Sequence, residues 1–184
     1  MQREKAMKQL EQAKKDGKAD EDAYPLLDLI NSKENMYTTS SCAGRICLLE
    51  TTRQGSKKDA RLLERWHREI TIEDLKNALE KHAKTVAYLQ SECPILHVVT
   101  NEEKTAEKLV KTGLELGFKR SGIKNLKEGR ILVEICSSEF METPLAEDGK
   151  LRVNGDYLKF IVDIANIKFR RGREKLKKLE ECMA

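Results

Sequence analysis

Short apolar segments occur in clusters along this chain, and their order limits the folds that it can adopt. The segments "FKRSGI" (118–123) and "RILVEI" (130–135) predict a pair of neighbouring strands, and "EDGK" (147–150) predicts a hairpin turn. Further strands are predicted at 45–52, 85–90 and 95–99. Helices with clustered antiparallel strands favour an α+β sandwich, with antiparallel-rich sheets packed by helices, over a doubly wound parallel (Rossmann) sheet.

Helix-forming segments flank and separate these strands. Residues 2–16 predict a helix that ends at Gly17, and 155–182 predict the longest helix of the chain. A capping-box pattern that begins at Thr71 predicts another helix start. At 184 residues the chain is expected to form a single domain, with the helices 2–16 and 155–182 as flanking elements.

A faint internal repeat connects two parts of the sequence. The predicted helix 22–32 and the later "GRICLLE" resemble the predicted helix 101–116 and the later "GRILVEI". Duplication and coincidence explain this match equally well. If duplication is the cause, Ser41 and Ser121 lie in equivalent loops, which are then expected to face each other across one cleft.

Composition indicates a folded protein with a strongly charged surface. Charged residues make up 36% and apolar residues 39% of the chain, and its five cysteines form no CxxC pair. Without a predicted secretory leader, this cysteine usage favours the reduced cytosol. No apolar stretch approaches the roughly eighteen residues that a membrane span needs, so we expect a cytoplasmic protein with no membrane partner.

Positive charge is concentrated in three segments, although the net charge is only +4. Residues 53–68 contain six Lys or Arg, residues 119–130 contain five, and residues 168–178 contain seven. Each segment alone is explained well by a solvated helix face or loop. The three together favour a polyanionic partner such as RNA.

The run "YTTSSCAGR" (37–45) is the most distinctive local feature, and we predict a loop there. Its small side chains allow backbone N–H groups to approach an anion, its hydroxyls can donate to that anion, and Arg45 can bind a carboxylate or phosphate. A capped turn whose Ser and Thr bind local backbone groups explains the run equally well. Because the chain has neither a Walker loop nor a GxGxxG fingerprint, ordinary nucleotide-binding folds are disfavoured.

Four other side chains are candidates for chemistry or binding. Cys42 has the chemistry of a thiol nucleophile, although buried inert cysteine is the commoner outcome. Trp66, which lies among arginines, suits either stacking on a nucleobase or anchoring a core. His97 in its apolar strand is either a core residue or a base, and His67 is the other candidate base. Because the histidines are not spaced as metal ligands, no metal site is expected.

Several motifs together resemble a known family. "DEDAYPLLDLIN", "YTTSSCAGRI", "WH", "PILHV", "GFKRSGI" and "YLKFIVDIAN" resemble, in order and spacing, the tRNA wybutosine-synthesizing methyltransferases, which methylate N-4 of the demethylated wyosine base. The resemblance covers roughly residues 16–170. The family usually has serine where this chain has Ala43, so one hydroxyl is missing here while the backbone approach is kept.

This resemblance implies methyl transfer from S-adenosylmethionine, bound outside a Rossmann framework, to the guanosine-derived base at position 37 beside the anticodon of phenylalanine tRNA. We expect the donor or a tRNA phosphate to bind at Ser40, Ser41, Cys42, Gly44, Arg45, Ser121 and Gly122. We expect His97 or His67 to accept the proton. Contacts with the anticodon loop are expected from Trp66, Arg53, Lys57, Lys58, Arg65, Arg170, Arg171 and Lys175. The alternatives are a non-catalytic tRNA-binding module and an enzyme built on the Cys42 thiol.

Overall fold

All described strand pairs are antiparallel, and they form two sheets. The computed structural model describes residues 2–17, 19–55, 58–81, 84–127 and 129–184. The helices are α1 (Gln2–Lys15), α2 (Tyr24–Asn31), α3 (Ile72–Leu79), α4 (Glu103–Glu115) and α5 (Gly155–Met183), and a 3-10 turn at Glu21–Ala23 precedes α2. The strands are β1 (Met36–Cys42), β2 (Arg45–Thr51), β3 (Arg61–Trp66), β4 (Val86–Glu92), β5 (Ile95–Thr100), β6 (Gly122–Lys127), β7 (Arg130–Cys136), β8 (Met141–Glu147) and β9 (Lys150–Leu151).

Local signals set the ends of several helices. Gly17 and Gly117 follow α1 and α4 with φ angles of 62° and 89°, a left-handed conformation that glycine adopts without steric strain. Thr71 and Asp74 form the predicted capping box, in which each side chain accepts the other residue's backbone N–H. Among the described helices, none combines the length and apolarity that a membrane crossing requires.

The chain divides into two compact units. Unit 1 comprises Met1–Ala43, Cys93–Ser138 and Gly172–Ala184, and unit 2 comprises Gly44–Glu92 and Glu139–Arg171. Each unit is built from separate stretches of the chain, and α5 contributes residues to both. The description of residues 1–184 as one domain therefore stays a prediction.

Unit 1 has a four-stranded sheet in the order β1-β5-β7-β6, with helices against one face. Alternate residues of β5 and β7 enter the core with side chains from α2, α4 and α5; the core includes Leu96, Val98, Val133, Ile135, Leu26, Ile30, Leu109 and Leu179. Because successive side chains of a strand point to opposite faces, His97 and Glu134 lie on the other face of this sheet.

Unit 2 has a five-stranded sheet in the order β3-β2-β4-β8-β9. Its core combines strand residues with one face each of α3 and α5, and it includes Ile46, Leu48, Leu89, Leu145, Leu75, Ile161 and Ala165. The turn between β8 and β9 has φ angles of 50° at Asp148 and 71° at Gly149, as expected for the predicted "EDGK" hairpin.

The antiparallel α+β prediction is confirmed, while two local predictions differ from the structure and one strand was not predicted. Residues 36–42 form the strand β1 rather than a loop, because Tyr and Thr side chains favour extended backbone and β5 supplies the pairing. Residues 118–121 form a turn that precedes β6. Residues 61–66 form the edge strand β3, whose many exposed charges concealed its pairing with β2.

The two copies of the faint repeat have different topologies. In the second copy β6 and β7 pair with each other in one sheet, whereas in the first copy β1 and β2 belong to different sheets. The segments "GRICLLE" and "GRILVEI" are therefore two apolar strands that belong to different sheets.

Replacement of Gly172 in α5 should destabilise the protein because of the packing of this glycine within unit 1. An added Cβ would lie 2.8 Å from Cδ of Pro94, whose rigid ring cannot move aside as a flexible side chain would. Alanine normally favours a helix over glycine by about 1 kcal/mol, but overpacking costs about 1–3 kcal/mol. Because the helix gain offsets part of the overpacking cost, we expect Gly172→Ala to lower the free energy of unfolding by up to about 2 kcal/mol in urea denaturation.

The matched control is Gly155→Ala at the start of the same helix, where an added Cβ meets no atom within 4 Å. This variant should be as stable as the parent or slightly more stable. Equal stability of the Gly172 variant and the control would contradict the close packing on Pro94.

Candidate functional site

The strand β1 contains a β-bulge beside His97. Thr38 lies opposite Val98 and Ser41 lies opposite Leu96, so Thr39 and Ser40 together oppose His97. The extra residue breaks the side-chain alternation, and Ser40 Oγ lies 3.1 Å from Nδ1 of His97. The bulge therefore brings a hydroxyl into contact with a candidate base.

The sheet register gives His97 a second partner. Glu134 on β7 lies directly opposite His97, and its Oε2 is 2.8 Å from Nε2. The other oxygen, Oε1, is 2.7 Å from Nζ of Lys124 on β6. Ser40, His97, Glu134 and Lys124 thus form one continuous line of contacts across the sheet of unit 1, which we call the polar row.

The ionised carboxylate of Glu134 determines which ring nitrogen of His97 carries the proton. Burial alone would raise the pKa of Glu134, but hydrogen bonds from Lys124 and His97 outweigh burial and lower that pKa below its ordinary value. The carboxylate is therefore ionised at neutral pH and accepts a hydrogen bond from Nε2–H of His97. In this tautomer, which we assign from the hydrogen bonds, Nδ1 carries a lone pair that accepts a hydrogen bond from Ser40.

Ser40 and Ser41 also line a cavity of about 450 Å³ within unit 1. Most of its lining is apolar and includes Ala6, Leu10, Ala13, Ala19, Ala23 and Leu27. Its polar lining residues are Gln9, Asp20 and the hydroxyl-bearing Thr39, Ser40 and Ser41. A largely apolar pocket with a few convergent polar groups is the usual form of a small-molecule site.

Two polar side-chain groups of this cavity are buried. Ser41 Oγ is inaccessible to solvent and has no hydrogen-bond partner among the described residues. Asp20 has a side chain only 6% exposed, accepts a hydrogen bond from the backbone N–H of Ala43 at 3.0 Å, and lies 3.7 Å from Nη2 of Arg173. Because an unsatisfied buried hydroxyl is unfavourable, Ser41 marks a position where a polar ligand group would stabilise the protein.

Residues 1–184 match a protein-family model described as Methyltransferase TYW3. This chain belongs to that methyltransferase family. The resemblance identified from the motifs is therefore confirmed, and so is the expectation that the chain is an enzyme of the methyltransferase class.

Curated members of the family are similar over nearly their whole length. Proteins from Pyrococcus furiosus and Pyrococcus abyssi are 42% and 40% identical to this chain over 97% of its length, and the matches cover 91% and 92% of those proteins. Both are named tRNA(Phe) 7-((3-amino-3-carboxypropyl)-4-demethylwyosine(37)-N(4))-methyltransferase 1.

Two solved structures are similar to this chain in fold. The structure of the PH1069 protein from Pyrococcus horikoshii is 42% identical, with a TM-score of 0.95 over 99% of this chain and 94% of that one. A hypothetical protein from Aeropyrum pernix is 29% identical, with a TM-score of 0.78 over 89% and 96% of the two chains. The expected non-Rossmann architecture is therefore confirmed.

The predicted donor-site residues take up different environments. Ser40 and Ser41 line the cavity, and Cys42 ends β1 opposite Ile95. Gly44 has a φ of 90°, which accounts for glycine at this position. Arg45 belongs to unit 2 and forms an ion pair with Glu92.

Ser121 and Gly122 lie at the other edge of the unit 1 sheet from β1, so they do not form a wall facing Ser40 and Ser41. Ser121 Oγ donates to the carbonyl of Phe118 at 2.7 Å and accepts from the backbone N–H of Cys136 at 3.1 Å. This hydroxyl therefore stabilises the turn before β6 and the end of β7. Gly122 borders open space, since an added Cβ would meet no atom within 4 Å.

Most of the predicted RNA-binding arginines are engaged with carboxylates. Arg53 binds Glu147, Arg170 binds Glu69, and Arg171 lies 3.6 Å from Glu139. Lys58, Arg65 and the candidate base His67 are exposed, and Lys57 lies outside the described residues. Lys175 packs beside Gly117, where an added Cβ would lie 3.1 Å from Cε of the lysine.

Three residues of the site were missed in the sequence. Strand pairing alone brings Glu134 to His97 and Lys124, and Asp20 appeared to be one acid in an acidic run. A sequence signal existed for Glu134, since a carboxylate in the centre of the apolar strand "RILVEI" requires a partner.

The structure favours the core role for Trp66 that the sequence had left open. Its side chain is 8% exposed and packs in the unit 2 core, so its indole has no free face for a base.

We expect Trp66→Ala to reduce the free energy of unfolding by about 3–5 kcal/mol, as measured by chemical denaturation. Leu62→Ala, at a 43% exposed position of the same strand, is the control and should change stability little. A stable Trp66→Ala variant with weakened tRNA binding would instead support stacking.

Proposed function

We propose that this chain transfers a methyl group from S-adenosylmethionine to N-4 of a 4-demethylwyosine-type base at position 37 of phenylalanine tRNA. The family and the names of its similar members support this substrate. One observation carries the proposal: Ser40 belongs both to the cavity and to the polar row. A pocket for the donor and an acceptor for the proton therefore share one residue.

The residues of the cavity fit the methyl donor. The apolar side chains from α1 and α2 would pack on the adenine, and Asp20 would accept hydrogen bonds from hydroxyl or ammonium groups. Ser41 Oγ would gain the polar partner that it lacks. When bound, the donor supplies an electrophilic methyl group on a positively charged sulfur. Holding the acceptor nitrogen against that group and excluding water is the contribution of the protein.

The polar row supplies the proton acceptor. As the acceptor nitrogen loses its proton to Ser40 Oγ, Ser40 passes its own proton to Nδ1 of His97. The imidazolium that results is stabilised by the carboxylate of Glu134, which stays ionised beside Lys124. This arrangement favours His97 over His67 as the base, while the contacts predicted for Cys42, Gly44 and Arg45 remain proposals.

Narrowing the cavity should weaken donor binding. Ala13→Leu adds bulk to the cavity lining, and we expect it to raise the Kd of S-adenosylmethionine at least about tenfold in isothermal titration calorimetry. Lys15→Leu, at an exposed position near the end of the same helix, is the control and should leave the Kd unchanged. Equal affinity of both variants and the parent for S-adenosylmethionine would place the donor elsewhere.

The alternative function, a non-catalytic tRNA-binding module, would be supported if the parent bound tRNA in a salt-sensitive way but did not bind S-adenosylmethionine.

Removing a partner of the proton path should slow the chemical step. We expect His97→Gln and Glu134→Gln to lower kcat for methyl transfer by about 10²–10⁴-fold, because proton transfer by a positioned group contributes about that much. Donor affinity, measured by calorimetry, should stay within about twofold of the parent, a difference of about 0.4 kcal/mol. Glu115→Gln, at an exposed carboxylate of α4, is the control. Full turnover by both variants at saturating substrate would exclude this path.

A further inference from the structure

Unit 2 contains a second cavity, which is lined by both apolar and charged side chains. It measures about 300 Å³, and its lining includes Tyr88, Pro144, Arg53, Glu147 and Arg152. All of these residues belong to unit 2. The cavity thus combines an aromatic ring with two guanidinium groups.

Tyr88 lies on the sheet face that points away from the unit 2 core. Its neighbours Ala87 and Leu89 are buried in that core, whereas Tyr88 is half-buried and is paired across the sheet with Leu49 and Pro144. Leu49 is in turn paired with Leu62, which is 43% exposed. An apolar stripe with one aromatic ring therefore crosses the outer face of this sheet.

Arginines flank this stripe at one side. Nε and Nη2 of Arg53 lie 2.5 and 2.8 Å from the two carboxylate oxygens of Glu147, and Nη2 of Arg152 lies 3.3 Å from the same carboxylate. One carboxylate thus orients two guanidinium groups, which leaves a net positive charge. The side chains of Arg53 and Arg152 remain 80% and 55% exposed, so both can reach an external anion.

We propose that this cavity binds one unpaired nucleotide of the tRNA, with its base on the ring of Tyr88 and its phosphate on Arg53 and Arg152. The inference rests on the proposed function, which supplies an RNA substrate. An aromatic ring on an open sheet face offers a base a flat apolar surface, and guanidinium groups beside it match a phosphate in charge and geometry. The carboxylate side chains of an acidic peptide would bind the arginines but would not stack on the ring.

The ring is tested by comparing two substitutions. We expect Tyr88→Ala to weaken binding of a fluorescently labelled anticodon stem-loop about 5- to 100-fold in anisotropy titrations, because stacking on an aromatic ring contributes that much per base. Tyr88→Phe keeps the ring and should bind within about twofold of the parent, a difference of about 0.4 kcal/mol. Parental affinity of a folded Tyr88→Ala variant would overturn the proposal, and so would equal losses in both variants.

The phosphate contact is tested by salt dependence. Arg53→Gln should reduce the slope of log Kd against log salt by about one, because one phosphate contact is removed. Lys76→Gln makes the same change of charge on α3, whose Leu75 and Ala78 pack into the core on the other face of the sheet, and should leave the slope unchanged. The same slope for Arg53→Gln and the parent would overturn the phosphate contact.

Measuring S-adenosylmethionine binding shows whether the nucleotide site fails alone or together with the proposed function. Tyr88→Ala should bind S-adenosylmethionine as the parent does, because Tyr88 does not line the unit 1 cavity. If the parent methylates the tRNA while Tyr88→Ala binds that tRNA with parental affinity, the nucleotide site fails alone. If the parent binds neither donor nor tRNA, the proposed function and the nucleotide site both fail.

Discussion

The antiparallel register between β5 and β7 is the constraint on which the site depends. It buries Leu96, Val98, Val133 and Ile135 on one face of the unit 1 sheet and leaves His97 opposite Glu134 on the other. A slip of one residue would turn the carboxylate into an apolar core and expose the aliphatic side chains, both of which are unfavourable. The hydrophobic effect, which has no direction of its own, thus positions a directional pair of hydrogen bonds. The bulge in β1 then adds Ser40 to this pair.

Ion pairs neutralise part of the positive charge of the basic segments. In the sequence they suggest a broad positive surface, but Arg53, Arg170 and Arg171 each contact a carboxylate. A paired guanidinium contributes less to long-range attraction, yet its orientation is fixed and ready for a planar ligand group. Recognition of RNA by this chain should therefore depend on the geometry of a few oriented arginines more than on total charge.

Local signals made the class of fold predictable. Capping residues, helix-ending glycines and apolar periodicity act over a few residues, and the helices and most strands lie where these signals place them. The site was less predictable because its contacts are made between distant strands. Glu134 meets His97 across 37 residues of sequence, and the burial of Trp66 depends on how β3 joins its sheet. The strand β1 escaped prediction because its hydroxyl-rich sequence suits a loop as well as an extended edge.

The helix α5 gives the molecule a particular order of assembly during synthesis. Leu158, Ile161 and Ala165 complete one core, and Leu176 and Leu179, further along the same helix, complete the other. A nascent chain that has not yet delivered residues 155–183 from the ribosome therefore exposes apolar sheet faces in both units. Neither core can therefore be completed until this segment has been synthesised.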